Sequence, residues 1–210
     1  MPTGSLYVVA APSGTGKTTL IQALIKETPG VVASVSCTTR PPRANERDGV
    51  DYRFVDAATF EAMAATGDFL EHAEVFGHRY GTPRGPTEAR LAEGFDVVLV
   101  IDWQGFRQVR QAMPDCVGVF LLPPSRATLE HRLRGRGQDP DSVIRRRLAE
   151  ARAEIGHWRE FDYVLVNRKL VTALGELQSI LVARRLRREV QGQRESALIA
   201  ELLEAPGRSR

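Results

Sequence analysis

The chain has 210 residues, which suits a single α/β domain with insertions or at most two small domains. Hydrophobic residues make up 42% and charged residues 26%, as in ordinary soluble proteins, and no apolar run approaches the roughly 20 residues that cross a bilayer. The net charge of +3 is a mild excess of base, which suits an anionic substrate and requires neither nucleic acid nor a membrane.

The N-terminus and the cysteines bear on the compartment. The first residues contain no basic segment followed by an apolar core, so we expect no signal peptide. The two cysteines, Cys37 and Cys116, are too few for a disulfide framework, and no metal-ligand cluster adjoins either in the sequence. We therefore predict that both are packing residues and that the protein is cytoplasmic.

The N-terminal part of the chain alternates short apolar runs with helix signals. Residues 6–10 read as a buried strand, residues 17–26 as a helix that Pro29-Gly30 ends, and residues 31–35 as a second strand. The next segment, residues 36–51, is polar and rich in Arg and Pro, which predicts an ordered loop or an excursion from the core.

Three further elements are predicted before the middle of the chain. Asp56 is placed to cap a helix that Gly67 ends, and residues 69–80 read as one or two strands. Thr82-Pro83 favours another helix start, with Thr82 as the cap and Pro83 at the first helical position. That helix is expected to end at Gly94.

The remaining strands indicate the fold class. Residues 97–101, 117–122 and 163–166 are continuous apolar runs, typical of strands buried on both faces of a parallel sheet. Helical stretches separate them, and this β-α-β-α order predicts a parallel sheet flanked by helices on both sides. The stretch 125–159 is predicted to be helical and is densely basic.

The tail after Leu170 is predicted to be helical and amphipathic. Its apolar residues with helical spacing are Leu198, Ile199, Leu202 and Leu203. Packing or a contact between subunits is favoured over nucleic-acid binding for this segment.

Residues 11–18 fit the P-loop pattern except at the first position, where Ala replaces Gly. The segment follows a predicted strand and opens a predicted helix, the context in which backbone N–H groups and the helix dipole bind phosphates. Lys17 is expected to neutralise charge between the β- and γ-phosphates of ATP, and Thr18 to offer its hydroxyl to Mg²⁺. The residues predicted to hold ATP in this segment are Ala11, Pro12, Ser13, Gly14, Thr15, Gly16, Lys17, Thr18 and Thr19.

A second group of polar motifs follows the P-loop. Arg40 and Arg43 lie three residues apart on a proline-stiffened segment and can hold one phosphate by charge-assisted hydrogen bonds, although a solvated basic loop is the alternative. The other motifs of this group are Asp51-Tyr52, Phe69-Leu70-Glu71-His72-Ala73, Arg79-Tyr80-Gly81-Thr82 and Val100-Ile101-Asp102-Trp103-Gln104-Gly105.

Together these motifs resemble those of the guanylate kinases, and very closely those of the bacterial branch, from Gly4 into the C-terminal helices. The resemblance implies that the phosphate of GMP is held by Arg40, Arg43, Tyr52 and Tyr80, and that guanine is contacted by Ser36, Glu71 and Thr82. A carboxylate at Glu71 suits guanine, because N1–H and the 2-amino group are donors that adenine does not offer there. A plain surface carboxylate at a strand end is the alternative.

The resemblance also implies a lid that closes over ATP, with matching arginines at Arg132, Arg136 and Arg147. A solvated basic helix face or a weak RNA-binding patch is the alternative. Asn167, after the last core strand, is expected near the adenine of ATP. Phosphoryl transfer requires positioning and charge neutralisation more than acid–base chemistry. The residues expected to serve catalysis are therefore Lys17, Arg43, Arg136 and Arg147.

One position departs from the family. Relatives commonly have Asp-Ile-Asp where this chain has Val100-Ile101-Asp102. Only Asp102 is then left to act near the metal and the acceptor nucleotide, and the expected metal ligands are Thr18 and Asp102. A nearby carboxylate, such as Glu71, is the alternative carrier of this role.

We predict a P-loop α/β fold over residues 1–190. The core is expected at about 1–35, 83–125 and 150–190, a GMP-binding insert at about 36–82, the lid at about 126–149, and a helical tail at 191–210.

The expected reaction transfers phosphate from ATP, with Mg²⁺, to GMP or dGMP. Two alternatives stay open, a kinase for phosphorylated ribose and a non-catalytic guanylate kinase-like binding module. The C-terminal helices could form a homo-oligomer contact.

Overall fold

A computed structural model of the chain describes residues 4–75, 77–135 and 140–204. The described residues contain nine strands, β1 Leu6–Ala10, β2 Val31–Ala33, β3 Cys37–Thr38, β4 Arg53–Phe54, β5 Phe69–Val75, β6 His78–Pro83, β7 Asp96–Leu99, β8 Val117–Leu122 and β9 Tyr163–Val166.

The helices lie between and after these strands. They are α1 Lys17–Glu27, α2 Ala57–Ala65, α3 Arg84–Ala92, α4 Trp103–Ala112, α5 Arg126–Arg134, α6 Asp141–Ile155, α7 Leu170–Arg185, α8 Arg188–Arg194 and α9 Ser196–Leu203, with a 3-10 turn at Trp158–Glu160. None of the helices in the described ranges is both long and apolar enough to span a membrane.

The core is a five-stranded parallel sheet in the order β2-β7-β1-β8-β9. Alternate residues of a strand point to opposite faces, and β1 is buried on both. Tyr7 and Val9 pack with α1 and α7, whereas Leu6 and Val8 pack with the cluster that contains Phe106 of α4. The predicted parallel sheet with helices on both sides is therefore confirmed.

A second, four-stranded sheet in the order β4-β3-β6-β5 occupies the segment between β2 and α3. β5 and β6 form an antiparallel hairpin, and β3 pairs with β6 from within the segment that the sequence predicted as a loop. The prediction of a loop over residues 36–51 is wrong at Cys37 and Thr38. Both are fully buried, with Cys37 beside stacked Phe60 and Phe69, and this tertiary burial overrides the polar local sequence.

Helix caps explain where α4 and α2 begin. Asp102 precedes α4 and its Oδ1 accepts a hydrogen bond of 2.8 Å from the backbone N–H of Gly105. Asp56 caps α2 in the same way through the N–H of Thr59, as predicted. The predicted cap at Thr82 is wrong, because Thr82 belongs to β6, and Pro83 occupies the cap position of α3 without a side-chain hydrogen bond.

Three predicted boundaries also differ from the structure. β2 ends at Ala33 rather than Val35, since its pairing with β7 stops there. β7 ends at Leu99, which leaves Val100 and Ile101 in the connection to α4. The predicted helical stretch 125–159 is divided into α5, α6 and the 3-10 turn.

Two further predictions concern the cysteines and the C-terminal helices. Cys37 and Cys116 are both free and buried, which fits their predicted packing role. On α9, the apolar side chains of Leu198, Ile199, Leu202 and Leu203 are exposed. The predicted subunit contact through these helices stays a prediction.

Candidate active site

The P-loop connects β1 to α1 and has backbone geometry that glycine permits. Gly14 and Gly16 have φ angles of 88° and 93°, in the left-handed region that L-residues with a side chain disfavour. A Cβ on Gly16 would also lie 2.7 Å from Nδ2 of Asn167, and one on Gly14 would lie 3.0 Å from Cδ2 of Leu133. The loop is thus held between β9 and α5 at positions where only glycine fits.

Thr15 anchors the middle of this loop. It is fully buried, and its hydroxyl donates to the carbonyl of Pro12 at 2.7 Å. Its own carbonyl accepts hydrogen bonds from Nη1 of Arg132 at 2.9 Å and from Nδ2 of Asn167 at 2.8 Å. Two residues predicted to contact ATP therefore lie against the P-loop and bind its backbone.

Lys17 begins α1 and lies at the centre of the site. Its Nζ donates to the carbonyl of Ile101 at 3.3 Å. Burial lowers the pKa of Lys17, while the negative charges of Glu154 and Asp102 act in the opposite direction. The ammonium thus has two carboxylates near it before any phosphate is considered.

A single cavity of about 430 Å³ joins the P-loop to the second sheet. It lies beyond the carboxyl ends of β1 and β7, where open parallel sheets bind ligands. Its lining contains residues 11–18 together with Ser36, Tyr52, Glu71, Ala73, Val75, Tyr80, Val100, Ile101, Asp102 and Glu154. Residues predicted to hold the donor and residues predicted to hold the acceptor therefore face one space.

Glu71 forms the buried polar end of the cavity. Its Oε1 accepts a hydrogen bond of 2.6 Å from the hydroxyl of Thr82, which is fully buried, and a Cβ added to Gly105 would lie 2.9 Å from Oε2. Burial, opposed by the hydrogen bond from Thr82 and aided by the charge of Asp102, raises the pKa of Glu71 to about 7. The first helical turn of α4 thus has room for this carboxylate because residue 105 is glycine.

The arginines of the predicted phosphate clamp occupy different environments. The Nη2 of Arg40 donates to both carboxylate oxygens of Glu46, at 2.8 and 2.9 Å, and its guanidinium lies 5.5 Å from the ring centre of Tyr52. The ring of Tyr52 meets that of Tyr80 edge to face at 6.0 Å. Arg43 is exposed and donates its backbone N–H to Glu46. Neither arginine lines the cavity.

Helices α5 and α6, which fall largely in the region predicted as the lid, contact the P-loop from the other side. The Nη2 of Arg147, on α6, donates to the hydroxyl of Ser13 at 2.9 Å. Helices α5 and α6 share a small core of their own, formed by Leu129, Leu133 and Ile144. The third predicted lid residue, Arg136, lies outside the described residues.

Glu46 contacts both arginines of the predicted phosphate clamp and Glu154 lines the cavity, although sequence reasoning gave neither a role. The position of Glu46 in the sequence was an available signal. It lies three residues after Arg43, close enough for its carboxylate to accept a hydrogen bond from the backbone N–H of that residue. Glu154 lies seven residues after Arg147, which is two turns along the same face of a helix. That spacing was the available signal for a second residue directed at the P-loop.

These features define a class. A glycine-rich loop between a parallel strand and a helix, a lysine and threonine at its end, and a second polar pocket opposite it are the features of a P-loop α/β protein of the nucleotide kinase type.

Comparison with known proteins identifies the family within this class. The sequence profile of the family described as guanylate kinase matches residues 3–184. The chain is 55% identical to a guanylate kinase of Nitrosococcus oceani over 96% of this chain and 99% of that one, and 56% identical to one of Alkalilimnicola ehrlichii over 95% and 97%. The chain belongs to the guanylate kinase family.

A solved structure supports the same fold. The crystal structure of guanylate kinase from Anaplasma phagocytophilum matches with a TM-score of 0.71 and 33% identity, covering 92% of this chain and 96% of that chain. The P-loop α/β fold predicted from the sequence is therefore confirmed, as is the family that the motifs resembled.

Proposed function

We propose that this protein transfers the γ-phosphoryl group of ATP to the phosphate of GMP, giving ADP and GDP, and that dGMP also serves as acceptor. The observation that carries the proposal is that the P-loop and the buried carboxylate of Glu71 line the same cavity of about 430 Å³. Donor and acceptor sites that share one space allow direct transfer between the two nucleotides.

The donor phosphates bind at residues 11–19 in this proposal. The free N–H groups at the start of α1 and the ammonium of Lys17 attract them, and Gly14 and Gly16 allow the backbone to approach closely. Arg132 and Asn167 bind the Thr15 carbonyl, so they shape the loop in addition to any contact with adenine or ribose.

Guanine binds at the Glu71 end of the cavity. The ionised carboxylate accepts hydrogen bonds from N1–H and the 2-amino group, while Thr82 holds one of its oxygens in place. Adenine presents an acceptor at N1, which would leave the buried carboxylate unpaired, so the site rejects it. Ser36 lines the same cavity and is the third residue proposed to contact the base.

The acceptor phosphate binds between the hydroxyls of Tyr52 and Tyr80 and the guanidinium groups of Arg40 and Arg43. Both tyrosines line the cavity, and Arg40 lies over the ring of Tyr52. Arg43 is exposed and would turn inward to complete the clamp. Charge-assisted bonds from two arginines neutralise the phosphate that must approach the anionic donor.

The lid would neutralise the charge that spreads over the transferring phosphoryl group. Arg147 already reaches Ser13 of the P-loop, and Arg136 is proposed to act beside it. Closure of the lid over ATP would also exclude water, which would otherwise compete with GMP as the acceptor.

Mg²⁺ fits the part of the cavity that Thr18 and Asp102 line. The Thr18 hydroxyl and the Asp102 carboxylate are hard oxygen donors, and Mg²⁺ is usually bound by one or two carboxylates together with substrate phosphates. The bond from the Gly105 N–H fixes the orientation of Asp102. When bound, the ion supplies positive charge to the donor phosphates. Within the described ranges, no three His, Cys, Asp or Glu side chains form a preformed metal site.

A coupled assay that compares GMP, dGMP, AMP, UMP and ribose bisphosphate as acceptors tests the proposal. We expect kcat/KM for AMP and UMP to lie at least about a hundredfold below that for GMP, because the guanine donors match Glu71. Preference for ribose bisphosphate would favour a kinase of phosphorylated ribose, and the absence of turnover with every acceptor would favour a binding module.

A further inference from the structure

Glu154 is a partly buried carboxylate in the cavity. It lies on α6 and lines the same space as Lys17, Val100 and Asp102. Seven residues separate it from Arg147, so the two side chains lie on one face of α6, two turns apart. Arg147 contacts Ser13 at the start of the P-loop. One face of α6 therefore lies along the P-loop, with Arg147 at Ser13 and Glu154 in the cavity that Lys17 also lines.

A second set of contacts fixes the end of α6 beside Asp102. The ring of His157 stacks on that of Trp103, with centroids 3.5 Å apart and planes at 7°. His157 also contacts the carboxylate of Glu160 at 2.7 Å, and Glu160 in turn accepts two hydrogen bonds of 2.7 Å from Arg107 of α4. Trp103 adjoins Asp102 and His157 follows Glu154 by three residues. The stack thus brings the two carboxylates to the same corner of the cavity.

The charges at this corner explain what Glu154 can do there. Lys17 is the cation whose pKa Glu154 and Asp102 both influence, with Glu154 the stronger of the two. Burial raises the pKa of Glu154, and the positive charge of Lys17 opposes that effect. One oxygen of Asp102 accepts the cap bond from Gly105, and Val100 adds no charge. Glu154 lines the same cavity as Lys17, and its charge acts on the ammonium through space.

We propose that Glu154 is a positioning residue whose negative charge, acting at longer range than an ion-pair contact, keeps the ammonium of Lys17 beside the carbonyl of Ile101 and oriented toward the phosphates. This inference rests on the proposed function. A lysine side chain has four rotatable bonds, so an unheld ammonium would have to be ordered as the reaction proceeds. With Glu154 in place, the charge is oriented before transfer begins, which is how preorganised groups lower a barrier.

The first experiment measures phosphoryl transfer in Glu154→Gln by single-turnover quenched flow, which separates the chemical step from product release. The amide keeps the size of the side chain and removes its charge. We expect the rate constant to fall about tenfold with the melting temperature unchanged. Glu150→Gln is the matched control, because Glu150 lies one turn earlier on α6 and pairs with Arg146 on the surface. Wild-type rates in Glu154→Gln would overturn the proposal.

The second experiment asks whether the effect acts through Lys17. In the Lys17→Ala background, Glu154→Gln should cause no further loss of transfer rate, since there is no ammonium left to hold. Equal proportional losses in both backgrounds would show that Glu154 acts independently of Lys17, and would overturn the proposal.

Binding of MgADP, measured by calorimetry, separates this inference from the choice of acceptor. The proteins compared are the wild type, Glu154→Gln, Lys17→Ala and the variant with both substitutions. We expect Glu154→Gln to weaken binding when Lys17 is present and not when it is replaced by Ala. That pattern supports the role of Glu154 whichever acceptor is used, whereas a failure of GMP turnover alone would count against the proposed function. Equal binding of MgADP by wild type and Glu154→Gln would overturn the positioning role.

Discussion

Thr82 and Glu71 face each other across the antiparallel pair β5–β6, and the Thr82 hydroxyl donates a hydrogen bond of 2.6 Å to Oε1 of Glu71. Because Thr82 is fully buried, this bond fixes the carboxylate in a single orientation. The other oxygen, Oε2, lies below Gly105 at the first turn of α4. A carboxylate held in this way can present a defined acceptor to a base.

Glu71→Gln should weaken the use of GMP and reduce discrimination against AMP. The amide replaces one acceptor by a donor, which would then face the donors of guanine, and each misplaced buried polar group costs about 1–3 kcal/mol. We therefore expect kcat/KM for GMP to fall at least about tenfold while the KM for ATP stays the same. A variant that kept the full preference for GMP over AMP would show that Glu71 does not read the base.

The same residue should make the stability of the nucleotide-free protein depend on pH. The pKa of Glu71 rises from 4.5 to about 7 on folding, so the folded state binds more protons than the unfolded state between these values. The contribution of Glu71 to the free energy of unfolding is therefore greatest below pH 4.5. It falls by about 3 kcal/mol as the pH rises to about 7.

Glu71→Gln removes this titration. Urea unfolding of both proteins at pH 4.5 and pH 8 should therefore show the variant gaining stability relative to the wild type as the pH rises. Parallel stability profiles for the two proteins would mean that Glu71 titrates near its ordinary value.

Lys17→Ala should abolish most transfer and leave the fold intact. Lys17 is expected to act on phosphate charge, and loss of such a contact in the transition state reduces the rate about a hundredfold or more. Steady-state kinetics with GMP and ATP, beside a thermal melt, measure both effects. Near-normal turnover by the purified variant would contradict the role given to the P-loop lysine.

Glu46→Gln should raise the KM for GMP and leave the KM for ATP unchanged. Both oxygens of Glu46 accept hydrogen bonds from Arg40, and one also accepts from the backbone N–H of Arg43, so the carboxylate would orient the proposed phosphate clamp. We expect an increase of about threefold to tenfold, since two bonds between oppositely charged groups are replaced by a single bond from Arg40 to a neutral amide oxygen.

The control for this variant is Glu61→Gln, because Glu61 pairs with Arg79 at the surface. A lower KM for GMP in Glu46→Gln would instead indicate that Glu46 competes with the acceptor phosphate for Arg40.

Val100→Asp should lower the KM for GMP without changing that for ATP. Val100 lines the cavity near Asp102 and is 41% exposed, so a carboxylate there would remain solvated and restore the acidic pair common in relatives. Kinetics in both substrates and a thermal melt distinguish this from simple destabilisation. An unchanged or raised KM for GMP in the folded variant would disprove the expectation.

The sequence by itself determined the parallel sheet and the P-loop. Apolar runs at residues 97–101 and 117–122 indicate strands buried on both faces wherever they occur, because only burial makes such runs favourable. The P-loop is equally local, since Gly14 and Gly16 supply left-handed backbone angles and Lys17 follows at a fixed spacing. The motifs on both sides of the cavity also sufficed to indicate the family that comparison then established.

Tertiary structure alone decided how the side chains pair. Thr82-Pro83 is a sound helix start by local rules, yet pairing of β6 with β5 draws Thr82 into the sheet, where its hydroxyl satisfies a buried carboxylate. Glu154 lies in the same cavity as Lys17, and the stack of His157 on Trp103 joins the end of α6 to α4 beside it. Such contacts join residues far apart in the chain, and their free energy depends on burial that no local pattern of residues specifies.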